Sequence, residues 1–199
     1  MNLRSGRLNL PNILTLARIC AVPVVLVLML SPARSNGLWA AAIFGMAAVT
    51  DFVDGWLARR WGIVTVLGKF LDPLADKLIV MAALIMLIPY DRAPAWAVFI
   101  ILAREIIVTG LRSIASSEGI VIDASELGKY KTIYQMVAIP GLMLHYDFYW
   151  FFGIEWQLFR VNMHNFGIFF FYIALFLTVW SGFDYLQKFF RVFARADHA

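Results

Sequence analysis

Charge is scarce in this chain. Of its 199 residues, 15% are Asp, Glu, Lys or Arg and 62% are hydrophobic, with a mean hydropathy of +0.76. A soluble domain is nearer half apolar and a quarter charged, so a water-soluble globule is excluded. Disorder is excluded on the same grounds. Cysteine is nearly absent: Cys20 is alone, so no internal disulfide can form, and its place in an apolar run marks it as a small buried apolar residue. Histidine is rare as well. His145, His164 and His198 stand apart in the chain as isolated residues, a spacing that suits no metal site. Internal repeats, low-complexity tracts and domain linkers are lacking, and the length suits one domain over residues 1–199. What remains is a polytopic membrane protein.

Six apolar runs are present, each near the ~20 residues that cross a bilayer as a helix. They cover about Ile13–Leu30, Leu38–Trp61, Lys69–Ile88, Ala95–Ser116, Gly128–Leu144 and Met163–Leu186. Pro89 ends the third. Met1–Asn9 sets Arg4 and Arg7 among leucines and reads as a short amphipathic segment lying on the membrane surface. His145–Asn162 is an aromatic-rich connection of the kind found at an interface. The fold class expected is all-α, with six transmembrane helices and that interfacial segment.

The few charges set an orientation. Six spans put both termini on one side. That side collects Arg4, Arg7, Arg59, Arg60, Lys69, Arg112, Lys129, Lys131, Lys188, Arg191 and Arg195; the other has Arg34, Arg92 and Arg160. The positive-inside rule therefore assigns both termini to the cytoplasmic face of the cell's inner membrane. No nucleic-acid partner is expected; membrane lipid is.

Within so apolar a chain, Thr50–Lys77 holds four aspartates: Asp51, Asp54, Asp72 and Asp76. Asp51 and Asp54 are three apart and share a helix face; Asp72 and Asp76 are four apart and share another. A short connection over Gly62–Gly68 makes the two helices antiparallel neighbours. Facing carboxylates repel unless a cation relieves them, and hard divalent ions prefer oxygen ligands. Two such ions at about 3.5–4 Å would make the two-metal arrangement used on phosphates. Two other readings remain: salt bridges to Arg59, Lys69 and Lys77, and the site of a divalent-cation transporter. A transporter would set acidic residues near the midplane of several helices, whereas these sit in two helices near one face.

The full spacing is Asp51-x-x-Asp54-Gly55-x-x-Ala58-Arg59, eight residues, then Gly68-x-x-x-Asp72-x-x-x-Asp76. It resembles, without departure, the signature of the CDP-alcohol phosphotransferase family. Eight fixed positions are a specific signal. The resemblance extends to Pro11-Asn12-Ile13-Leu14-Thr15-Leu16-Ala17-Arg18. Ala103-Arg104-Glu105, Leu111-Arg112 and Gly128-Lys129-x-Lys131-Thr132-x-x-Gln135-Met136 look like the branch of the family that uses glycerol 3-phosphate. After about Tyr146 no motif contributes.

The resemblance implies a six-helix membrane enzyme, a homodimer, that moves a phosphatidyl group from CDP-diacylglycerol to glycerol 3-phosphate. The products are phosphatidylglycerophosphate and CMP. It makes Asp51, Asp54, Asp72 and Asp76 the ligands of two Mg²⁺ or Mn²⁺ ions and Asp76 also the general base. Gly55, Ala58, Arg59 and Gly68 match positions around the CDP moiety. Other acceptors used within the family, such as phosphatidylglycerol, inositol phosphate or serine, stay open. A phosphorylated acceptor needs its own basic pocket. The candidates are Arg104, Arg112, Lys129 and Lys131, with Arg18 as a further one. Against this, Lys129 and Lys131 also read as plain positive-inside residues, and Arg104 with Glu105 as a structural ion pair.

Overall fold

The computed structural model describes residues 10–61, 66–120, 122, 126–149 and 160–196. Side chains are described for these residues except 10–12, 52–61, 66–73, 126, 148–149, 160 and 195–196. The Met1–Asn9 segment lies outside the described residues. The chain divides into two compact units, Met1–Met86 and Leu87–Ala199.

In the first unit, α1 (Leu10–Met29) and α2 (Arg34–Trp61) are joined by a turn of four residues, Leu30–Ala33. Backbone N–H groups of Asn36 and Gly37 both donate to Ala33 O (3.1 Å), which starts α2 directly. So short a link makes the helices antiparallel neighbours. Each buries one stripe at helical spacing. On α1 it is Thr15, Arg18, Val25 and Met29; on α2 it is Ala40, Phe44 and Ala47. The alanines let the backbones approach closely, as membrane helices require. The third helix, α3 (Val66–Leu87), buries Ala75, Ile79, Ala83 and Leu84. It ends in a single 3-10 turn over Ile88–Tyr90, begun by Pro89 and closed by Asp91 in the left-handed region.

The second unit holds α4 (Ala95–Ser117), α5 (Glu126–Leu144) and α6 (Met163–Ala196), both α4 and α5 packing on α6. α4 ends where Gly119 adopts φ +72°, with Ile120 N–H on Ala115 O (2.9 Å) and Gly119 N–H on Ser116 O (3.2 Å). That is a Schellman stop, and the positive φ suits glycine. At the far end, Arg92 is buried and donates from Nη1 to Met143 O (2.9 Å), satisfying a carbonyl in the last turn of α5. α5 and α6 meet at Gly141 and Gly167. A Cβ on Gly167 would lie 2.7 Å from Leu142 N, so the two backbones touch.

The six helices coincide with the six apolar runs. α6 overshoots its expected end at Leu186, because Asp184–Lys188 (2.8 Å) and the stacked rings of Phe189 and Phe193 (4.3 Å) keep the helical spacing going to Ala196. The two ends of the aromatic connection pair as a two-stranded antiparallel ladder, β1 (Asp147–Tyr149) with β2 (Arg160–Asn162). Asn162 accepts from Asn165 N–H (2.8 Å) and caps α6, and it donates to Asp147 (2.9 Å).

Two expectations are corrected. Cys20 is exposed on α1. Its apolar setting reflects an apolar helix surface, not a place in the core. Nor are the histidines all isolated: His145 Nδ1 and His164 Nδ1 lie 3.0 Å apart, brought together where α5 ends and α6 begins. Large apolar side chains are exposed along most helices, Phe99 (70%) and Phe183 (71%) among them. Contiguous exposure of this kind marks a surface that meets lipid or a partner. Met163–Ala194 of α6 is long and apolar enough to cross a bilayer, and Ile13–Met29 of α1 is a shorter apolar helix.

Candidate active site

The first cluster lies between α1 and α2. Asp51 is the next position of the stripe Ala40–Phe44–Ala47, so the helix itself turns it toward α1. There Arg18 Nη1 stands 2.7 Å from Asp51 Oδ1. The Arg18 side chain is 2% exposed and that of Asp51 is 41% exposed, so a sheltered cation holds a carboxylate that still reaches solvent. A cavity of about 230 Å³ opens beside them, lined by Leu14, Ala17, Arg18, Met46, Ala47 and Thr50.

Of the other aspartates, Asp76 is half-buried on α3, and the side chains of Asp54 and Asp72 lie outside the described residues. So do those of Gly55, Ala58, Arg59 and Gly68, the four positions matched to the CDP moiety. The backbone is helical through 51–61 and 66–77. Positions 51 and 54 therefore stand one turn apart on α2, and 72 and 76 one turn apart on α3. Among the described residues no group of three or more His, Cys, Asp or Glu comes together. The donor chemistry nevertheless suits a hard divalent ion: carboxylate oxygens, with the one described in detail, Asp51, oriented by a neighbour and open to solvent.

The second cluster is in the Leu87–Ala199 unit. The buried stripe of α4 reads Ala97, Ile101, Val108, Ala115, and Arg104 and Glu105 occupy its middle turn. Lys131 and Gln135 begin the buried stripe of α5, followed by Ala138 and Leu142. Ionisable groups thus stand at positions where the pattern calls for apolar ones. The geometry shows how they are accommodated. Glu105 Oε1 accepts from Lys131 Nζ and from Arg104 Nη1 (3.3 Å). Arg104 Nη2 donates to Ser181 Oγ on α6 (2.9 Å). Gly182 makes room for it, because a Cβ there would sit 2.9 Å from Arg104 Cγ. Two turns further along α4 and one turn further along α6, the Arg112 guanidinium lies 5.9 Å from the ring centre of Tyr185.

Arg104 and Lys131 thus meet at Glu105, and Arg112 stands two turns further along α4. Lys129 is exposed, two residues from Lys131 and so on another side of α5. Arg18 belongs to the first unit, against Asp51. Ser181, Gly182 and Tyr185 are the site residues that the motifs did not single out; Glu105 stood in one of them, read there as the ion-pair partner of Arg104. The available signal was the pair Ser181-Gly182, two small residues one turn before Tyr185 in a helix of phenylalanines.

These features define a class: an all-helical membrane protein with a carboxylate pair of helices in one unit and a buried basic cluster in the other. The sequence matches the model of the CDP-alcohol phosphatidyltransferase family over residues 8–180. It is 42% identical to a CDP-diacylglycerol–glycerol-3-phosphate 3-phosphatidyltransferase of Bacillus subtilis over 192 residues, covering 90% of this chain and 94% of that one. Proteins of the same name from Haemophilus influenzae (36% identical, 91% and 93% covered) and Shigella flexneri (37%, 95% and 96%) are similar along the same length. The chain belongs to the CDP-alcohol phosphatidyltransferase family.

Proposed function

We infer that the protein transfers the phosphatidyl group of CDP-diacylglycerol to glycerol 3-phosphate, giving phosphatidylglycerophosphate and CMP in phospholipid synthesis. The observation that carries this is the similarity, over nine tenths of the chain, to transferases named for that reaction. The basic cluster of Arg104, Arg112 and Lys131 supports the acceptor, because a phosphorylated alcohol needs a cationic pocket apart from the carboxylates.

Asp51, Asp54, Asp72 and Asp76 would hold two Mg²⁺ or Mn²⁺ ions. Such ions neutralise the pyrophosphate of the donor and the charge developing on CMP. The chain's own residues do the rest. Asp76 takes the proton of the acceptor's hydroxyl as that oxygen bonds to the phosphorus bearing diacylglycerol. The bond from this phosphorus to the bridging oxygen breaks, and CMP leaves with the oxygen. Arg18 holds Asp51 in place. Gly55, Ala58, Arg59 and Gly68 line the CDP moiety. Arg104, Arg112 and Lys131 hold the acceptor's phosphate, and Lys129 adds positive charge at the rim.

All six helices cross the membrane in this reading, with both termini and the site on the cytoplasmic side of the inner membrane, and the enzyme is a homodimer. Helix lengths of 19 residues or more support the crossing. The concentration of Arg112, Lys129, Lys131, Lys188 and Arg191 toward one end of the second unit, against Arg92 and Arg160 at the other, supports the orientation.

The test is direct. Purified protein in detergent with Mg²⁺, CDP-diacylglycerol and labelled glycerol 3-phosphate is expected to release CMP and form a labelled lipid. EDTA should stop the reaction, and Mg²⁺ or Mn²⁺ should restore it. Turnover with inositol phosphate or serine, and none with glycerol 3-phosphate, would overturn the assignment.

A further inference from the structure

The basic cluster carries its own anion. Arg104 and Lys131 have side-chain exposures of 14% and 7%, and both give a donor to the same oxygen, Glu105 Oε1. Cations this sheltered are costly unless paired, so the carboxylate explains how the fold tolerates them before any ligand enters. Glu105 does not saturate the cluster. Arg104 Nε, Gln135 Nε2 and Tyr185 Oη are buried without a hydrogen-bond partner among the described residues. Gln135 stands one turn from Lys131, and Tyr185 one turn from Ser181 and under Arg112. Among the described side chains, these three atoms are donors still to be satisfied.

We propose that Glu105 is a built-in counter-anion that holds Arg104 and Lys131 in place and yields them to the phosphate of the incoming acceptor. This rests on the reading of Arg104, Arg112 and Lys131 as the acceptor's phosphate pocket. Its consequence is selection by charge. A phosphate monoester brings about −1.5 to −2 near neutral pH and three acceptor oxygens, which suits the spare donors of Arg104, Gln135 and Tyr185. A phosphodiester or a neutral alcohol brings too little to displace a carboxylate held by two cations. The pocket then discriminates by what leaves as well as by what enters.

Inorganic phosphate is the probe, with full-length protein in detergent. Glu105→Gln removes the competing charge but keeps the shape. It is expected to lower the melting temperature without anion, to tighten phosphate binding by about tenfold, and to lower the KM for glycerol 3-phosphate in proportion. An unchanged or raised KM, with phosphate binding no tighter, overturns the proposal. If Glu105→Gln does not fold, Glu105→Asp withdraws the carboxylate by one methylene; a smaller tightening supports the proposal and weaker binding overturns it. Lys131→Ala separates the two levels. Should it leave phosphate affinity and KM untouched, the pocket itself is wrongly assigned. If it weakens both while Glu105→Gln fails to tighten either, only the counter-anion role falls.

Discussion

Arg18 Nη1 and Asp51 Oδ1 are 2.7 Å apart, and the arginine is the buried member of the pair. The carboxylate is thus anchored from the protein side while remaining open to solvent. Outer partners that orient a metal-binding group typically change activity or metal affinity by 10–100-fold when removed. Arg18→Ala is expected to cost about 10–100-fold in kcat/KM and to weaken Mn²⁺ binding measured by EPR. Arg18→Lys, which keeps charge but loses the planar fork, should fall between. Unchanged Mn²⁺ affinity in both variants would remove Arg18 from any positioning role.

Asp76 is half-buried on α3, one helical turn after Asp72. If it is both metal ligand and general base, Asp76→Asn removes a proton acceptor while keeping the side chain's size. The expected outcome is a fall in kcat of about 10²–10⁴-fold, with CDP-diacylglycerol binding reduced less. Single-turnover kinetics and equilibrium binding of the lipid separate the two effects. A variant with wild-type kcat would rule out the base.

The helices were legible because hydropathy and punctuation agree: Pro89 stops α3 where its apolar run stops. The aspartate motif was legible because its positions lie at helical spacing. Partner choice was not. Helical spacing turns Arg104 and Glu105 toward the core, but nothing local says that Ser181, 77 positions away, will accept from Arg104, or that Lys131 will reach Glu105. The same holds for His145 and His164, which meet because two helix ends are brought together by the ladder between them. Cys20 misled for another reason: where exposed surface is itself apolar, hydropathy does not distinguish inside from outside.

The contact between α5 and α6 rests on two glycines. A Cβ on Gly167 would meet Gly141 C at 2.9 Å and Leu142 N at 2.7 Å, both main-chain atoms that cannot swing aside. Gly167→Ala is therefore expected to destabilise the protein by about 1–3 kcal/mol. Gly110 on α4 has nothing within 4 Å of its would-be Cβ, so Gly110→Ala should be neutral or stabilising by up to about 1 kcal/mol. Thermal unfolding of both variants in one detergent checks this. Equal melting temperatures would mean that the helices can separate at Gly167 without loss.

His145 and His164 share one hydrogen bond between their Nδ1 atoms (3.0 Å), so one ring donates and the other must accept. Two protonated rings cannot make that bond. Burial first, then the positive charges of Arg92 and His164, hold His145 below the ordinary histidine range. The unfolded chain takes up its proton within that range; the folded chain does so only at lower pH. Between these limits the unfolded state binds more protons, and stability falls as pH falls. The contribution is complete above the ordinary histidine range and declines as pH falls through it. His145 also has φ 50°, a left-handed conformation that asparagine tolerates. In His145→Asn the melting temperature is expected to drop less over this interval than in the wild type. Parallel melting curves for the two proteins from pH 7.5 to 5 would show that the pair does not govern acid stability.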